Sequence, residues 1–449
     1  MNGSRAILVP DTALQLWDRV RTSLWFVPGL MALGAAVLAG LAPAVDGAVS
    51  DDLLRRAPFV FSGSPVAARA VLTTIATSMI TIAGVVFSMT IVALQLASSQ
   101  FGPRLLRTFL RDRGNQLVLG AFVAIFLYCI LLLPRVDAQE ESPFIPHISV
   151  TLAVIGALVG LGMLVYFIDH VAQSIHADAI ILSVSRELEG VIDELFPESI
   201  GAQQPDGEVA PPQAAPALVR ASSDGYVRFI NGDALLRIAA EADLMVRLEV
   251  APGGYVVHGD VLAHVWPEDS TKEDAVDAIR RGILIGSHRT TLQDVTFAFE
   301  QLTEMALRAL SPGINDPNTA GHCVDRIGSG LARMVGRPIP SRVRHDEAGA
   351  ARVIAEPTSL EQVLRSTAEP IARNASVHLP VWLRLMIALQ GAHARARREA
   401  DRVLLGETAA RVAEAARTRF ESEVDQSRIM AASAWAAHPL SGRPGRNGR

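Results

Sequence analysis

Four long runs without a charged residue dominate the first third of the chain. They are bounded by Arg21 and Asp46, Arg69 and Arg104, Arg113 and Arg135, and Glu141 and Asp169. Each is at least as long as the roughly 20 residues that a membrane-spanning helix needs. The pattern predicts a transmembrane domain over residues 1–168, with helices at about 23–45, 70–99, 114–134 and 147–168.

The arginines in the short connecting segments predict how these spans are oriented. Four of them lie between the second and third spans, against one acid, Asp112: Arg104, Arg107, Arg111 and Arg113. Arginine and lysine accumulate in cytoplasmic loops. We therefore expect a multipass protein of the bacterial inner membrane with both termini in the cytoplasm, although the first loop mixes arginines with acids and fits less well.

The second predicted span carries a polar stripe. Its members recur every seven residues and so share one helix face: Thr74, Thr81, Ser88 and Gln95. Small and hydroxyl-bearing residues let membrane helices approach closely, which favours helix packing. The alternative is that the stripe lines a polar path in an oligomer. No predicted span contains an acid or base of the kind that marks proton-coupled transporters.

A basic segment follows this span. Arg104, Arg107 and Arg111 share a face opposite Leu106, Phe109 and Leu110. Such a helix lies in the membrane interface and is suited to anionic lipid headgroups. A purely topological role for the arginines explains the pattern equally well.

Two motifs resemble those of a known family. The first is Val86-Phe87-Ser88-Met89-Thr90-Ile91-Val92-Ala93-Leu94-Gln95-Leu96-Ala97-Ser98-Ser99-Gln100-Phe101, followed by Pro103-Arg104-Leu105-Leu106; the second is Ala309-Leu310-Ser311-Pro312-Gly313-Ile314-Asn315-Asp316-Pro317-Asn318-Thr319-Ala320. Both are similar to signatures of the bacterial predicted membrane proteins catalogued as domain of unknown function 2254. The resemblance covers nearly the whole chain. It implies a multipass inner-membrane protein and no particular activity.

After residue 168, the spacing of the hydrophobic residues changes several times between helical and strand-like periods. The predicted parts are a membrane-exit helix at 169–196, a linker at 197–216, a small β module at 217–267, a helical corner domain at 273–335, a second linker at 336–356, a helical C-terminal region at 357–437 and a disordered tail at 438–449. The glycine-punctuated strands resemble half of a barrel-sandwich hybrid, the fold of biotinyl and lipoyl domains. We thus expect an α-helical integral membrane protein with a mainly α cytoplasmic region that contains a small β barrel-sandwich-like module.

The corner domain holds the densest group of polar candidates. Asp316 is placed to cap a helix whose first residue is Pro317, which favours a rigid structural corner. The alternative is a ligand pocket. Its candidate residues are Arg289, Gln293, Asp294, Arg308, Ser311, Asn315, Asp316 and Thr319.

Composition narrows the chemistry further. Only 19% of the 449 residues are charged and the net charge is -5, which argues against nucleic acid as a partner. Lys272 is the single lysine and lies in no carrier, phosphate-loop or pyridoxal motif. The two cysteines, Cys129 and Cys323, belong to no metal-ligand pair. We expect no metal, no cofactor and no catalytic residues.

These observations favour a structural or regulatory membrane protein, forming a homo-oligomer in the lipid bilayer, with a cytoplasmic region for sensing a ligand or for assembly. The alternative is a pore or transporter subunit in which the second span lines the path. A membrane-bound enzyme is the least favoured of the three, because no nucleophile, base and acid occur in a recognisable pattern.

Overall fold

The computed structural model describes residues 25–48, 60–101, 113–136, 145–174, 176–196, 212–375 and 377–437. The chain divides into two compact units, Met1–His176 and Ala177–Arg449. In the described residues the first unit is helical, and the second combines helices with two β-sheets.

The described part of the first unit contains four helices that are long and apolar enough to cross a membrane. They are α1 (Phe26–Ala48), α2 (Pro65–Phe101), α3 (Arg113–Leu132) and α4 (His147–Ser174). Each overlaps a predicted span, so the prediction of four apolar helices is confirmed. The 37-residue α2 is about 55 Å long at 1.5 Å per residue, well beyond a hydrocarbon core of about 30 Å.

Small residues set the distances between these helices. A Cβ atom added to Gly120 on α3 would lie 2.7 Å from the Met31 sulfur and 3.0 Å from the Pro28 Cα on α1. A Cβ atom on Gly160 of α4 would lie 3.1 Å from the Met79 sulfur on α2. Membrane helices pack by close van der Waals contact at such positions, so both glycines are part of the packing.

A buried carboxylate joins the end of α1 to the start of α4. Asp46 is 4% exposed and accepts hydrogen bonds from the backbone N–H of Ile148 (2.6 Å), from that of Ser149 (3.0 Å) and from the Ser149 hydroxyl (2.6 Å). The first N–H groups of a helix lack partners within the helix. Asp46, which marks only the boundary of an uncharged run in the sequence, therefore caps a helix about 100 residues away in the chain.

Two sheets form the β part of the second unit. The strands are β1 (Ala217–Arg220), β2 (Gly225–Ile230), β3 (Met245–Leu248), β4 (Tyr255–Val256), β5 (Val261–Trp266), β6 (Ile283–Gly286), β7 (Val343–His345) and β8 (Ala351–Ile354). One sheet has the order β1-β5-β3-β8-β7 and the other β4-β2-β6. Helices α6 (Gly232–Glu241) and α7 (Glu273–Arg281) contribute to the same apolar core, in which Leu235 and Ile279 are fully buried.

The β module differs from its prediction in three ways. The described strands form two open sheets rather than a closed barrel. A helix, α6, interrupts them because the Asn231 side chain accepts from the Ala234 N–H and caps its first turn. The predicted linker at 336–356 is wrong in part, since β8 pairs in parallel with β3 through Val353 and Val246. Strands this short are stable only when paired, so local sequence alone carries little signal for them.

The helices of the second unit form the rest of its structure. They are α5 (Ala177–Leu195), α8 (Val295–Ala309), α9 (Pro317–Val335), α10 (Leu360–Asn374), α11 (Leu379–Arg395), α12 (Glu399–Arg417) and α13 (Glu423–Ser433). The predicted helical C-terminal region at 357–437 thus contains the four helices α10 to α13. The tail at 438–449 lies outside the described residues.

The predicted membrane-exit helix at 169–196 is two helices in the structure. Residues up to Ser174 belong to α4, whereas α5 begins at Ala177. The apolar face of α5, with Ile181, Val184 and Leu188 buried, packs against α8 and α9 inside the second unit. Of the predicted linker at 197–216, residues 197–211 lie outside the described part of the chain.

Candidate functional site

The polar stripe lies on the outside of the first unit. Its four members, Thr74, Thr81, Ser88 and Gln95, are all exposed. The opposite face of α2 is buried against the other helices, through Ala68, Leu72, Ala76, Met79, Ala83, Val86 and Ala93. The helices within one chain therefore do not use the stripe to pack against each other.

Local hydrogen bonds satisfy part of this stripe. The Thr74 hydroxyl donates to the carbonyl of Ala70 at 2.8 Å, and the Thr81 hydroxyl donates to that of Thr77 at 2.7 Å. A hydroxyl bonded to the preceding turn still has acceptor capacity facing outward. The basic candidates that follow α2, Arg104, Arg107 and Arg111, lie outside the described residues.

Among the candidates in the second unit, Arg289 and Asp294 form an ion pair at the start of α8. The Arg289 Nε and Nη2 atoms donate to Asp294 Oδ2 at 3.0 and 2.8 Å, and Nη1 donates to Glu300 at 2.7 Å. The guanidinium also lies 4.8 Å from the centre of the Phe297 ring. Asp294 Oδ1 accepts from the Phe297 N–H at 2.9 Å and so caps α8. Both carboxylate oxygens of Asp294 are therefore occupied by structural contacts.

A glycine makes room for this carboxylate. Gly253 has a φ of +88°, and a Cβ atom there would lie 1.9 Å from Asp294 Oδ2. Burial raises the pKa of Asp294 above its usual range, and the charge of Arg289 opposes that rise. Gln293 completes the junction, since its side chain accepts from the Ile230 N–H and donates to the Ile230 carbonyl at the end of β2.

The remaining candidates form a second group around the end of α8, whose last turn contains Arg308. Asp316 accepts from the backbone N–H groups of Asn318 and Thr319, both at 3.1 Å, and from the Thr319 hydroxyl at 2.6 Å. These hydrogen bonds lower the pKa of Asp316 below its usual range. The Ser311 hydroxyl donates to the Arg308 carbonyl at 2.6 Å. Asn315 has a φ of +52°, a conformation that asparagine tolerates better than most residues.

The two groups do not meet. They lie at opposite ends of α8, whose 15 residues span about 22 Å. The pocket in which Arg289 and Asp294 converge with Asn315 and Asp316 is therefore absent from the described structure. Each group instead performs the capping and turn roles expected of a structural corner.

Metal-binding geometry is absent in the described ranges, where no group of three or more histidine, cysteine, aspartate or glutamate side chains is placed to hold an ion. His322 Nδ1 lies 2.7 Å from Asp178 and thereby joins α9 to the start of α5. His170 stacks on Tyr166, with 5.3 Å between ring centres.

A cleft of about 490 Å³ in the second unit was not anticipated. It lies along α5, α9 and α11, and its charged lining comes from Glu189, Asp325, Arg333, Arg384 and Arg395. The signal in the sequence is the spacing of Arg384, Ala388, Gly391 and Arg395, which places two arginines and two small residues on one helix face. That pattern indicates a cleft only when the helix that packs against it, α9, is known.

Comparison with known proteins gives consistent matches. The family described as "Predicted membrane protein (DUF2254)" matches residues 21–391. An uncharacterized protein of Mycobacterium tuberculosis strain H37Rv is 33% identical over 437 residues, covering 95% of this chain and 82% of the relative. An uncharacterized protein of Mycobacterium bovis matches with the same identity and coverage. No solved structure matches the chain.

Proposed function

Because the chain belongs to the DUF2254 family of predicted membrane proteins, we propose that it is a multipass protein of the bacterial inner membrane that assembles through the polar face of α2. Both termini lie in the cytoplasm, and the cytoplasmic region binds a ligand or an assembly partner. Its role is structural or regulatory rather than enzymatic. The observation that carries the proposal is the outward position of the stripe.

The exposed face of α2 has the repeat of a helix–helix seam. Thr74, Thr81, Ser88 and Gln95 occupy one position of a seven-residue repeat, and the exposed Ser78, Val85 and Val92 occupy the position four residues later. This alternating spacing of four and three is the a/d pattern of left-handed helix pairs. A second copy of α2 is the partner that such a self-complementary seam fits.

The energetics point the same way. Hydrocarbon offers no hydrogen-bonding partner for the Gln95 amide or the Ser88 hydroxyl. In membranes, an interhelical hydrogen bond of this kind is worth about 0.6 kcal/mol on average and up to roughly 2 kcal/mol. Gln95 and Ser88 on one seam therefore favour association without preventing the single chain from folding.

Cysteine cross-linking in native membranes tests the proposal. Ser88→Cys places a thiol on the seam, and Phe87→Cys places one at nearly the same depth about 100° around the helix. We expect oxidation to trap a dimer with Ser88→Cys and not with Phe87→Cys. The native Cys129 and Cys323 are buried, which limits cross-linking through the native thiols. Equal cross-linking of both variants, or of neither, would refute the seam.

A pore or transporter subunit is the second candidate function. It is favoured by the fact that all four positions of the polar stripe carry a hydrogen-bonding side chain, which packing between apolar helix faces does not require. In that case the Ser88→Cys thiol reacts with a membrane-impermeant reagent in the assembled protein, and Gln95→Leu changes ion flux in proteoliposomes. If α2 is a packing seam, the thiol is protected and Gln95→Leu weakens the oligomer instead.

A further inference from the structure

The cleft in the second unit has a floor of small residues between two parallel helices. Gly328 on α9 packs so closely against Ala388 on α11 that an added Cβ atom would lie 2.6 Å from the Ala388 Cβ. Ala332 and Gly391 continue this floor toward the ends of the helices. Longer side chains flank the small ones, and so an open trough runs along the helix pair.

Two arginines of α11 lie at either end of this floor. Arg384 and Arg395 are eleven residues apart, close to three helical turns, and therefore project from the same face. Arg384 donates to Asp325 at 2.7 Å through Nη1. Arg395 donates to the carbonyl of Gly391 at 3.0 Å, also through Nη1. Each guanidinium carries five N–H donors, and the other donors of both have no protein partner among the residues that the structure describes.

The charge around the trough is not balanced. Arg333 makes a two-point contact with Asp193, at 2.7 Å for each bond, lies 3.8 Å from Glu189, and shares Asp193 with Arg337. Arg384 has the single contact with Asp325. Arg395 has no acidic partner within the described part of the chain. The lining carries three arginines against two acids, Glu189 and Asp325, so it has an excess of one positive charge, and it presents the unused guanidinium donors of Arg384 and Arg395 to the interior of the cleft.

We propose that this cleft binds a soluble small molecule carrying phosphate or carboxylate groups, held by Arg384 and Arg395. Guanidinium is the side chain best matched to two-point contact with these oxyanions. The volume of about 490 Å³ lies in the range of small-molecule sites and suits a ligand of nucleotide size. The exposed Ile387 beside Ala388 supplies an apolar wall for a less polar part of the ligand.

Calorimetric titration of the full chain in detergent, at constant ionic strength, tests the proposal with ATP, inorganic pyrophosphate and citrate as probes. We expect at least one probe to bind with one site per chain. Arg384→Gln and Arg395→Gln should each weaken that binding by about tenfold or more, as expected for hydrogen bonds to a charged group. Gly391→Leu should abolish it by filling the trough, since a Cβ atom there is 3.7 Å from its nearest neighbour, Arg395.

Arg365→Gln is the matched control. Arg365 is 69% exposed on α10 and pairs with Glu361 outside the cleft. Its loss removes the same charge from the chain and should leave binding within twofold of the wild type. Absence of binding by all three probes would overturn the proposal. So would an equal effect of the control, which would indicate nonspecific charge attraction, or unchanged binding by Gly391→Leu.

Discussion

Replacing Gly253 by alanine should break the contacts of Asp294 that stabilise the start of α8. The backbone there has a φ of +88°, and the new methyl group would lie 1.9 Å from Asp294 Oδ2. Asp294 is 4% exposed, so its carboxylate cannot move aside into solvent. To relieve the clash it must leave the Phe297 N–H and the Arg289 guanidinium.

The magnitude can be separated into two parts. Alanine at a positive φ costs about 1–2 kcal/mol by itself. Loss of the helix cap adds about 1 kcal/mol, and loss of a hydrogen bond to a charged group adds roughly 1.5–3 kcal/mol. We expect Gly253→Ala to lower the free energy of unfolding of the second unit by about 3.5–6 kcal/mol.

Gly259 provides the control for the first part. Its φ is +91°, and an added Cβ atom would meet nothing within 4 Å. Gly259→Ala should therefore show only the conformational cost of about 1–2 kcal/mol. The difference between the two variants isolates the contact with Asp294.

Denaturant unfolding and hydrogen-exchange mass spectrometry of the full chain would measure both effects. Gly253→Ala should also increase exchange at residues 294–300, whereas Gly259→Ala should not. Adding Asp294→Ala to Gly253→Ala removes the clash, so the double variant should lose less stability than the sum of the single variants. Equal losses for the two glycine variants, or strict additivity in the double variant, would show that the close approach has no energetic consequence.

Four further outcomes are expected. Asp316→Ala should cost about 1 kcal/mol in chemical unfolding, and Asp316→Asn or Asp316→Ser should restore most of it; equal stability for all three would exclude the cap. Because the pKa of Asp316 is lowered by its hydrogen bonds, the stability that its charge adds is complete above the ordinary aspartate pKa near 3.9 and is lost as the pH falls through the lower, folded-state pKa. The difference in unfolding free energy between wild type and Asp316→Asn should therefore be constant above about pH 5 and shrink below about pH 4. A difference that grows on acidification would contradict the direction of this pKa shift. Asp46→Ala should lower the thermal stability of the first unit in detergent more than Asp46→Asn, since the amide oxygen still accepts from the start of α4, and equal melting temperatures would argue against capping. Reporter fusions at Gln139 and Gly207 should give periplasmic and cytoplasmic signals respectively, and a periplasmic signal at Gly207 would refute the proposed orientation.

Much of the structure can be predicted from the local sequence pattern, because the interactions that form it join residues close together in the chain. A run of uncharged residues long enough to span hydrocarbon is helical in a membrane irrespective of its neighbours, since every backbone group must be paired within the segment. The four apolar helices therefore appear where the sequence predicts them. The cap at Asp316 is also local, as donor and acceptor lie within three residues of each other.

Other features depend on pairing between distant segments. Strands β7 and β8 contain only three and four residues; β8 pairs with β3, about 100 positions earlier, and β7 pairs with β8. The contact of Gly253 with Asp294 and the capping of α4 by Asp46 have no local signature at all. In the same way, Arg384 and Arg395 form part of a cleft only because Gly328 lets α9 approach α11.

The polar stripe shows where the two kinds of information meet. Its seven-residue spacing is written in the sequence, and that spacing alone places Thr74, Thr81, Ser88 and Gln95 on one helix face. Whether that face points inward or outward was decided by the tertiary structure, because the competing apolar face of α2, with Leu72 and Val86, has the same period. Packing favoured the apolar face, since it buries more surface in close contact with α3 and α4, and the polar face was left outside.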